Sequence, residues 1–549
     1  MCHTVAVDTL DPHVRHGWTR NGADDTHLTP PALRWLRTST GLAERSTPVA
    51  PDSALQVAGS ALADAAREAL EAVVGPDEVL VERADRLGRA GGLSYLDLLR
   101  HRGCGELAAP DAVVRPADPE QVQRVVEVCA EHGVGIVPFG GGTSVVGGVA
   151  ALRGDRSSVV VLDLARLNRL VSVDPVSRMA VFQAGVVAPD AEKLLQDHGF
   201  TLGHVPQSFE RATIGGFAAT RSAGQASAGY GRFEDMVEGV RLATPRGEWR
   251  LGAAPASAAG PDLRQLVVGS EGTFGVITEV AVRVRPVPKV RRYEGFVLDG
   301  WTEGAGAVRA MAQARVLADV SRLSDPVETD VALRLGGGWK TVALRRFLAL
   351  RGFREPCLLI LGWEADSAAA LTARRAATLG ALGGTRLVRL GRSAGASWLH
   401  GRFAGPRQRD LLMDIGVCVE TLETATYWST LDALREGVRD ALTGALTGAG
   451  RTPVVACHIS HAYETGASLY FTVLVPRAED DPVGQWTRAK AAACAAIGPL
   501  GTITHHHAVG LDHAPYLGAE IGELGLDVLR AVKRTLDPDG ILNPGKLLA

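Results

Sequence analysis

No stretch of this chain stays apolar over the roughly 20 residues that a membrane-crossing helix needs, so no spanning segment is expected. The formal net charge of −3 leaves no basic surplus with which to hold nucleic acid. Cysteines stand at 2, 104, 129, 357, 418, 457 and 494. An odd, scattered set without metal-ligand spacing gives neither a disulfide framework nor a zinc site, and it suits a reducing cytosol. Residues 1–8 lack the basic stretch and apolar core of a secretory leader. The closing Leu-Leu-Ala is not a peroxisomal address, so a cytoplasmic protein is expected. Fixed-period repeats are absent. Lysine is scarce, 6 against 52 arginines, which reflects base composition more than mechanism and makes any one arginine a solvated surface charge by default.

What the chain does have is histidine and glycine in unusual places. His505, His506 and His507 are consecutive inside the run Gly-Thr-Ile-Thr-His-His-His-Ala-Val-Gly. If that run is extended, His505 and His507 face one side and His506 the other. Imidazole exchanges protons near neutral pH and also ligates metals, and a histidine tract alone leaves both uses open. The glycines come as loops. Pro138-Phe139-Gly140-Gly141-Gly142-Thr143-Ser144 follows a helical pattern over 120–131 and a short strand over 135–137. Its bare backbone can turn several N–H groups toward one pyrophosphate, with two hydroxyls added. The Rossmann spacing is not met, because no helix opens with Gly-x-Gly-x-x-Gly and no acidic residue follows at the expected distance. Further loops follow. They are His204-Val205-Pro206-Gln207-Ser208-Phe209-Glu210-Arg211-Ala212-Thr213, then Thr220-Arg221-Ser222-Ala223, then Glu271-Gly272-Thr273-Phe274-Gly275-Val276-Ile277. Loops of this kind, recurring between short β-rich runs, are better explained by one extended polar cofactor than by independent turns.

At 549 residues there is room for two or three domains. Composition shifts place an N-terminal helical extension at 1–105, around a helix over 54–73. A cofactor domain is expected at 106–288. At 289–510 alternating strands (293–298, 357–363, 469–475) and Ala-rich helices (304–318, 367–379, 430–446) predict an α+β cap with an antiparallel sheet. A C-terminal segment, 511–549, returns to the cofactor domain.

In order and spacing the glycine loops resemble the FAD-binding domain of the vanillyl-alcohol-oxidase (PCMH-type) superfamily, whose C-terminal signature is similar to Leu536-Asp537-Pro538-Asp539-Gly540-Ile541-Leu542-Asn543-Pro544-Gly545-Lys546. The resemblance implies an α+β fold with a two-subdomain FAD-binding domain. Some members attach flavin to a histidine of the first loop; the stretch here offers no His or Cys, so FAD is expected to be held noncovalently. Within the superfamily, Thr504 to Gly510, Ile459 to Phe471, His204 to Ser208 and Glu420 to Trp428 resemble alkyldihydroxyacetonephosphate synthase, from about Trp18 to the C-terminus. That family exchanges the acyl chain of acyl-dihydroxyacetone phosphate for a fatty alcohol, through a covalent adduct at flavin N5 and without net redox. The resemblance implies a phosphorylated lipid-like or small ester substrate, a catalytic Tyr470 supported by His505, His506 and His507, an active-site His204, an arginine important for activity at Arg322, and a substrate-binding Arg409. Arginine's planar fork suits a phosphate. A phenol with an ordinary pKa near 10 needs a neighbour to draw off its proton, and the histidines can serve.

Three departures stand out: Gln207 where the family has Asp, Val205 where it has Glu, and Thr472-Val473 where it has alternating aromatics. The rival reading is an FAD-dependent oxidase or dehydrogenase of a D-2-hydroxy acid or alcohol. Such enzymes carry a metal-binding His-x-Gly-Asp-Gly-Asn-x-His and a Gly-Glu-His-Gly. Here the matching places hold Tyr470 for the second histidine and a histidine for the acidic ligand, so no metal is expected. Homodimer formation and peripheral contact with a membrane through an amphipathic patch are left open.

Overall fold

The computed structural model describes residues 17–18, 28–336, 339–448 and 450–548. The leader reading of residues 1–8, Cys2 and the terminal Ala549 lie outside them. Among the described residues no helix is long and apolar enough to cross a membrane.

The architecture is α+β, with three main sheets. The first has four strands in the order Val79–Leu80, Ala112–Val114, Val159–Asp163 and Gly135–Phe139. Its last three strands are parallel. Val159–Asp163 is buried along its whole length, as a near-continuous apolar run between two parallel neighbours should be. The second sheet is antiparallel, in the order Leu170–Asp174, Met179–Gln183, Val276–Arg283, Val237–Thr244 and Gly247–Leu251. The helix Pro119–Glu131, with Val122, Val125, Val126 and Val128 on its buried stripe, packs between these sheets.

The third sheet has seven antiparallel strands, from Leu387–Gly391 at one edge through Val290–Asp299, Pro356–Ala365, Val320–Ser324, Val454–Ala462 and Gly466–Pro476 to Val417–Tyr427 at the other. One face of its last strands carries Leu422, Ile459, Leu469, Phe471 and Val473, which share a core with the helices Leu431–Leu446 and Pro482–Ile497. Because side chains alternate along a strand, the other face holds Thr421, Glu423, His458, Tyr470 and Thr472. That polar face looks toward the loops of the first two sheets.

Two sequence expectations change. The helix read over 54–73 begins only at Asp64. Ahead of it the chain stays extended because tertiary bonds hold it: Arg86 donates to Ala58 O, Ala61 N–H to Asp111, and Leu107 N–H to Gln56 O. The helix read over 304–318 runs Trp301–Gln313 and stops at Arg315, whose φ is +56°.

Candidate active site

The polar face of the hairpin is organised by one irregularity. Val454–Ala462 and Gly466–Pro476 pair with a register shift between Ile459 and Ala462. Two residues, Ser460 and His461, therefore oppose the single Ser468, a β-bulge of the kind that re-aims side chains. The Ser468 hydroxyl accepts the His461 N–H at 3.0 Å and sits 2.7 Å from the Ser460 hydroxyl. Beyond the bulge Tyr470 lies opposite His458, and on its other side opposite Glu423. The row Glu423, Tyr470, His458 thus crosses three strands on one face. His458 stacks on the phenol ring with centroids 4.9 Å apart.

The histidine triplet is not a strand. It is a turn folded around the Glu423 carboxylate, and the expected alternation of faces is overturned for that reason. Glu423 accepts the N–H groups of His505 (2.7 Å), His506 (3.0 Å) and His507 (2.8 Å) and the Thr504 hydroxyl (2.7 Å). Convergence of three successive amides on one anion brings all three rings to the same side. His506 and His507 lie 6.1 and 5.6 Å from the Tyr470 ring, and His505 lies 5.0 Å from His461. Burial would raise the Glu423 carboxyl, but the adjoining His506, with His507 and His505, outweighs it and holds the group well below the usual carboxylate range.

Burial lowers the pKa of four of the neighbouring imidazoles. His461 and His507 are pushed down to about 3, His505 well below its ordinary value, and His458 downward. Tyr470 is raised to about 12 by burial, with Glu420 and Glu423 adding to the rise while Thr421 and Arg409 oppose it. The phenol is therefore protonated at rest. Thr421 and Arg409 are the groups that pull its pKa down.

Arg409, on the helix Gly405–Asp414, donates to Leu93 O at 2.8 Å, and its Nε is buried without a partner among the described residues. Arg322 is less free. It donates to Glu328 at 2.9 Å, and Glu328 also accepts from His458 Nδ1 at 2.8 Å. The carboxylate fixes the His458 tautomer with Nδ1 protonated and leaves Nε2 as an acceptor. His204 is 1% exposed, with Nε2 3.0 Å from the Ser222 hydroxyl and its ring edge-on to Phe217 and Phe233; burial lowers it to about 3.

The cofactor loops converge. A Cβ on Gly141 would lie 2.0 Å from Arg211 O, and one on Gly140 would lie 2.4 Å from the Thr213 hydroxyl. Gly272 (φ +78°) presses on Pro138, and Glu271 N–H bonds Ala219 O. Thr213 caps the helix Ile214–Thr220 by accepting the Gly216 N–H. Several predicted contacts are spent elsewhere. The side chains of Phe139, Phe274, Val276 and Ile277 are buried in the core, so only their backbone can face a cofactor. Arg211 lies over the Trp18 ring and donates to Gly17 O and Trp18 O. Glu210 accepts from Trp18 and Arg407, and Phe209 stacks on Phe403. Arg221 donates to Val268 O and Gln265. Thr220 bonds Gly216 O, while Gln207 meets Gln225 and Ser208 O caps the turn to Ala212. Ala212 and Ala223 are buried. Glu271 accepts the Val509 and Gly510 N–H groups, tying the histidine turn to the loops. The remainder fits a polar cofactor. Thr143 and Ser144 have N–H groups that donate to nothing among the described residues, Ser144 is part-exposed, and the Ser270 and Thr273 hydroxyls are buried without partners there.

Ring nitrogens of His461, His505 and His506 all lie within 4.8 Å of one another, a spacing that one metal ion can span. They are already engaged, however. His461 Nε2 donates to Gly224 O, and its Nδ1 faces Ser460 and Ser468. His505 bonds Tyr463 and His506 through its two nitrogens. The trio is a hydrogen-bonded cluster rather than an open donor set.

Glu423, His458, His461 and Tyr463 were not singled out from sequence. The available signal was an acidic residue inside a β-rich run, Glu420-Thr-Leu-Glu423, which must find partners if buried.

Comparison with known proteins agrees with this geometry. Residues 110–252 match the FAD binding domain family, and residues 287–547 match the C-terminal domain of FAD linked oxidases. A solved alkyldihydroxyacetonephosphate synthase superposes with a TM-score of 0.82 at 27% identity, over 98% of this chain and 99% of that one. A p-cresol methylhydroxylase shares the fold alone, with a TM-score of 0.64 at 17% identity over 88% and 96% of the two chains. The alkyldihydroxyacetonephosphate synthase of Dictyostelium discoideum is 31% identical over 493 residues, 87% of this chain and 80% of that one. With FAD as its cofactor and a PCMH-type fold, this chain belongs to the alkyldihydroxyacetonephosphate synthase family.

Proposed function

We propose that this enzyme exchanges the acyl group of an acyl-dihydroxyacetone phosphate, or a closely related ester, for an alkoxy group without net redox. The observation that carries the reading is the setting of Tyr470: a buried, protonated phenol opposite Glu423 and His458 and close to the cation Arg409. Such a group can give and take back a proton beside a carbonyl. The loops 138–144, 207–213, 220–223 and 271–277 would hold FAD noncovalently, and FAD would supply an electrophilic centre for the substrate carbon.

The roles of the chain's own residues follow from their partners. Tyr470 moves the proton at its phenol oxygen, and Arg409, which among the described residues donates only to the Leu93 carbonyl through Nη1, supplies the fork for a phosphate. Glu328 holds His458 through Nδ1 and Arg322 holds Glu328, which makes Arg322 a positioning residue. The D-2-hydroxy-acid dehydrogenase reading is disfavoured by Tyr470 standing where those enzymes usually carry a metal-binding histidine. Peripheral membrane contact is supported by Leu524 and Val528, exposed on the helical segment that follows the break at Gly522, with Ile521 exposed just before it.

The test is product analysis. Purified holoenzyme given acyl-dihydroxyacetone phosphate and an isotope-labelled fatty alcohol should form a labelled ether and free fatty acid, with the flavin spectrum still oxidised at the end. Anaerobic bleaching of the flavin by a hydroxy acid, with no ether formed, would establish the redox reading instead.

A further inference from the structure

We propose that Tyr463, His505 and His506 form a proton relay joining the buried site around Tyr470 to solvent. Tyr463 Oη lies 2.6 Å from His505 Nε2, and His505 Nδ1 lies 3.0 Å from His506 Nδ1. Each link joins groups that can donate or accept. The outer end lies on a residue that reaches the surface: Tyr463 as a whole is 37% exposed, while His505 is 6% exposed. The inner end is the His506 ring, nearly parallel to Tyr470 at 6.1 Å.

The chain has two consistent proton patterns. In the first, His506 Nδ1–H donates to His505 Nδ1, and His505 Nε2–H donates to the Tyr463 oxygen, whose own proton faces water. A proton arriving at His506 Nε2 pushes the Nδ1 proton to His505 Nδ1. The His505 Nε2 proton then passes to Tyr463, and the Tyr463 proton leaves to water. The second pattern results: Tyr463 O–H donates to His505 Nε2, and His505 Nδ1–H donates to His506 Nδ1. One proton enters, one leaves, and no heavy atom moves.

The backbone is held for this. Glu423 grips the amides of all three histidines, and Arg232 donates to His505 O at 2.7 Å. The groups facing the relay are Arg232, Glu234 and Asp235 beside Tyr463, His461 beside His505, and Glu423 and His507 beside His506. None of the three relay residues is tied to a carboxylate by a short side-chain bond; the nearest, His506 Nδ1 to Glu423, is 3.5 Å.

The need for a relay rests on the proposed acyl-for-alkoxy exchange. There the carbon–oxygen bond to the acyl group breaks with its electron pair on the departing carboxylate. The alcohol oxygen forms the new bond and gives up its O–H proton. No electrons are gained or lost, and at neutral pH each turnover releases one proton inside an enclosed site.

The test uses FAD-loaded Tyr463→Phe, which keeps the ring and deletes the relay oxygen. With acyl-dihydroxyacetone phosphate and a fatty alcohol in dilute buffer, kcat should fall by about tenfold or more with KM little changed, and added imidazole should restore it. Unchanged turnover, or a loss that imidazole does not repair, overturns the relay. A second reading needs no substrate. Nitrogen-15 spectra of the histidine rings should show both His505 and His506 changing tautomer population in Tyr463→Phe, and movement of neither defeats the proposal. If the wild type forms no ether while the spectra respond as expected, the proposed reaction has failed and the hydrogen-bonded chain has not.

Discussion

At the scale of single residues, Glu423 explains more of this site than any other side chain. A fully buried carboxylate is costly to strip of water unless its lone pairs are filled. Here three backbone amides and one hydroxyl fill them, and the same four bonds set where three imidazoles point. Glu423→Gln keeps the volume but presents an amide NH₂ where an acceptor is needed, leaving at least one buried N–H unmatched. It should lower stability by roughly 2–4 kcal/mol and abolish turnover, read from urea titration and ether formation. Tyr470→Phe asks a narrower question. The ring, its stacking on His458 and the apolar strand behind it all persist, so folding and FAD content should match wild type. Turnover should fall by roughly 10²–10⁴-fold. Wild-type turnover in that variant would make Tyr470 a packing residue and end the proposed mechanism.

At the scale of elements, the outcome for each sequence expectation traces to particular contacts. The strands around 293–298, 357–363 and 469–475 were legible because apolar alternation is a local property, and the structure extends each by a few residues. The bulge at Ser460-His461 was not legible. A hairpin turning near Thr465 without it pairs His458 with Phe471 and puts Tyr470 on a row without His458; the extra residue shifts pairing by one and creates the Glu423–Tyr470–His458 row. Nor was the histidine turn legible, since its shape is imposed by a carboxylate ~80 residues away in sequence. Glycine loops announce close approach but not what approaches: the contact of Arg211 with Trp18 was not legible. Gly141 shows how tight that approach is. With 2.0 Å between its would-be Cβ and Arg211 O, even Gly141→Ala must displace the loop. That variant should keep its circular dichroism yet purify with little flavin, and Gly141→Asp should hold none. Wild type should be yellow and release all its FAD into the supernatant on acid precipitation, because no His or Cys stands in 140–144. Flavin that stays with the precipitate would show a covalent link.

At the scale of the whole molecule, the site is a junction. The hairpin of the seven-stranded sheet, the histidine turn and the loops of the other two sheets meet through His461 to Gly224 O, Arg232 to His505 O, and Glu271 to the Val509 and Gly510 amides. Bringing them together buries neutral imidazoles, and that has a consequence for pH. His204, His461 and His507 are each pushed down to about 3 by burial, against about 6.5 in an unfolded chain. Between those values the unfolded chain binds protons that the folded one refuses, so stability rises with pH across the window. The contribution is complete above about pH 6.5 and is lost as pH falls toward 3, at up to about 1.4 kcal/mol per pH unit for each histidine and roughly 4 for the three. Glu423, also depressed, adds a loss that begins as pH falls through about 4.3 and is complete below its lower folded value. Urea titrations of the holoenzyme should therefore show stability level above neutrality and falling steeply between pH 6 and 4. His204→Phe, which exchanges one refused proton for a ring that suits the Phe217–Phe233 slot, should flatten that slope by about one proton's worth. A holoenzyme as stable at pH 4.5 as at pH 7 would mean that these rings take up protons while folded, and that the interior around Tyr470 is wetter and more polar than its packing implies.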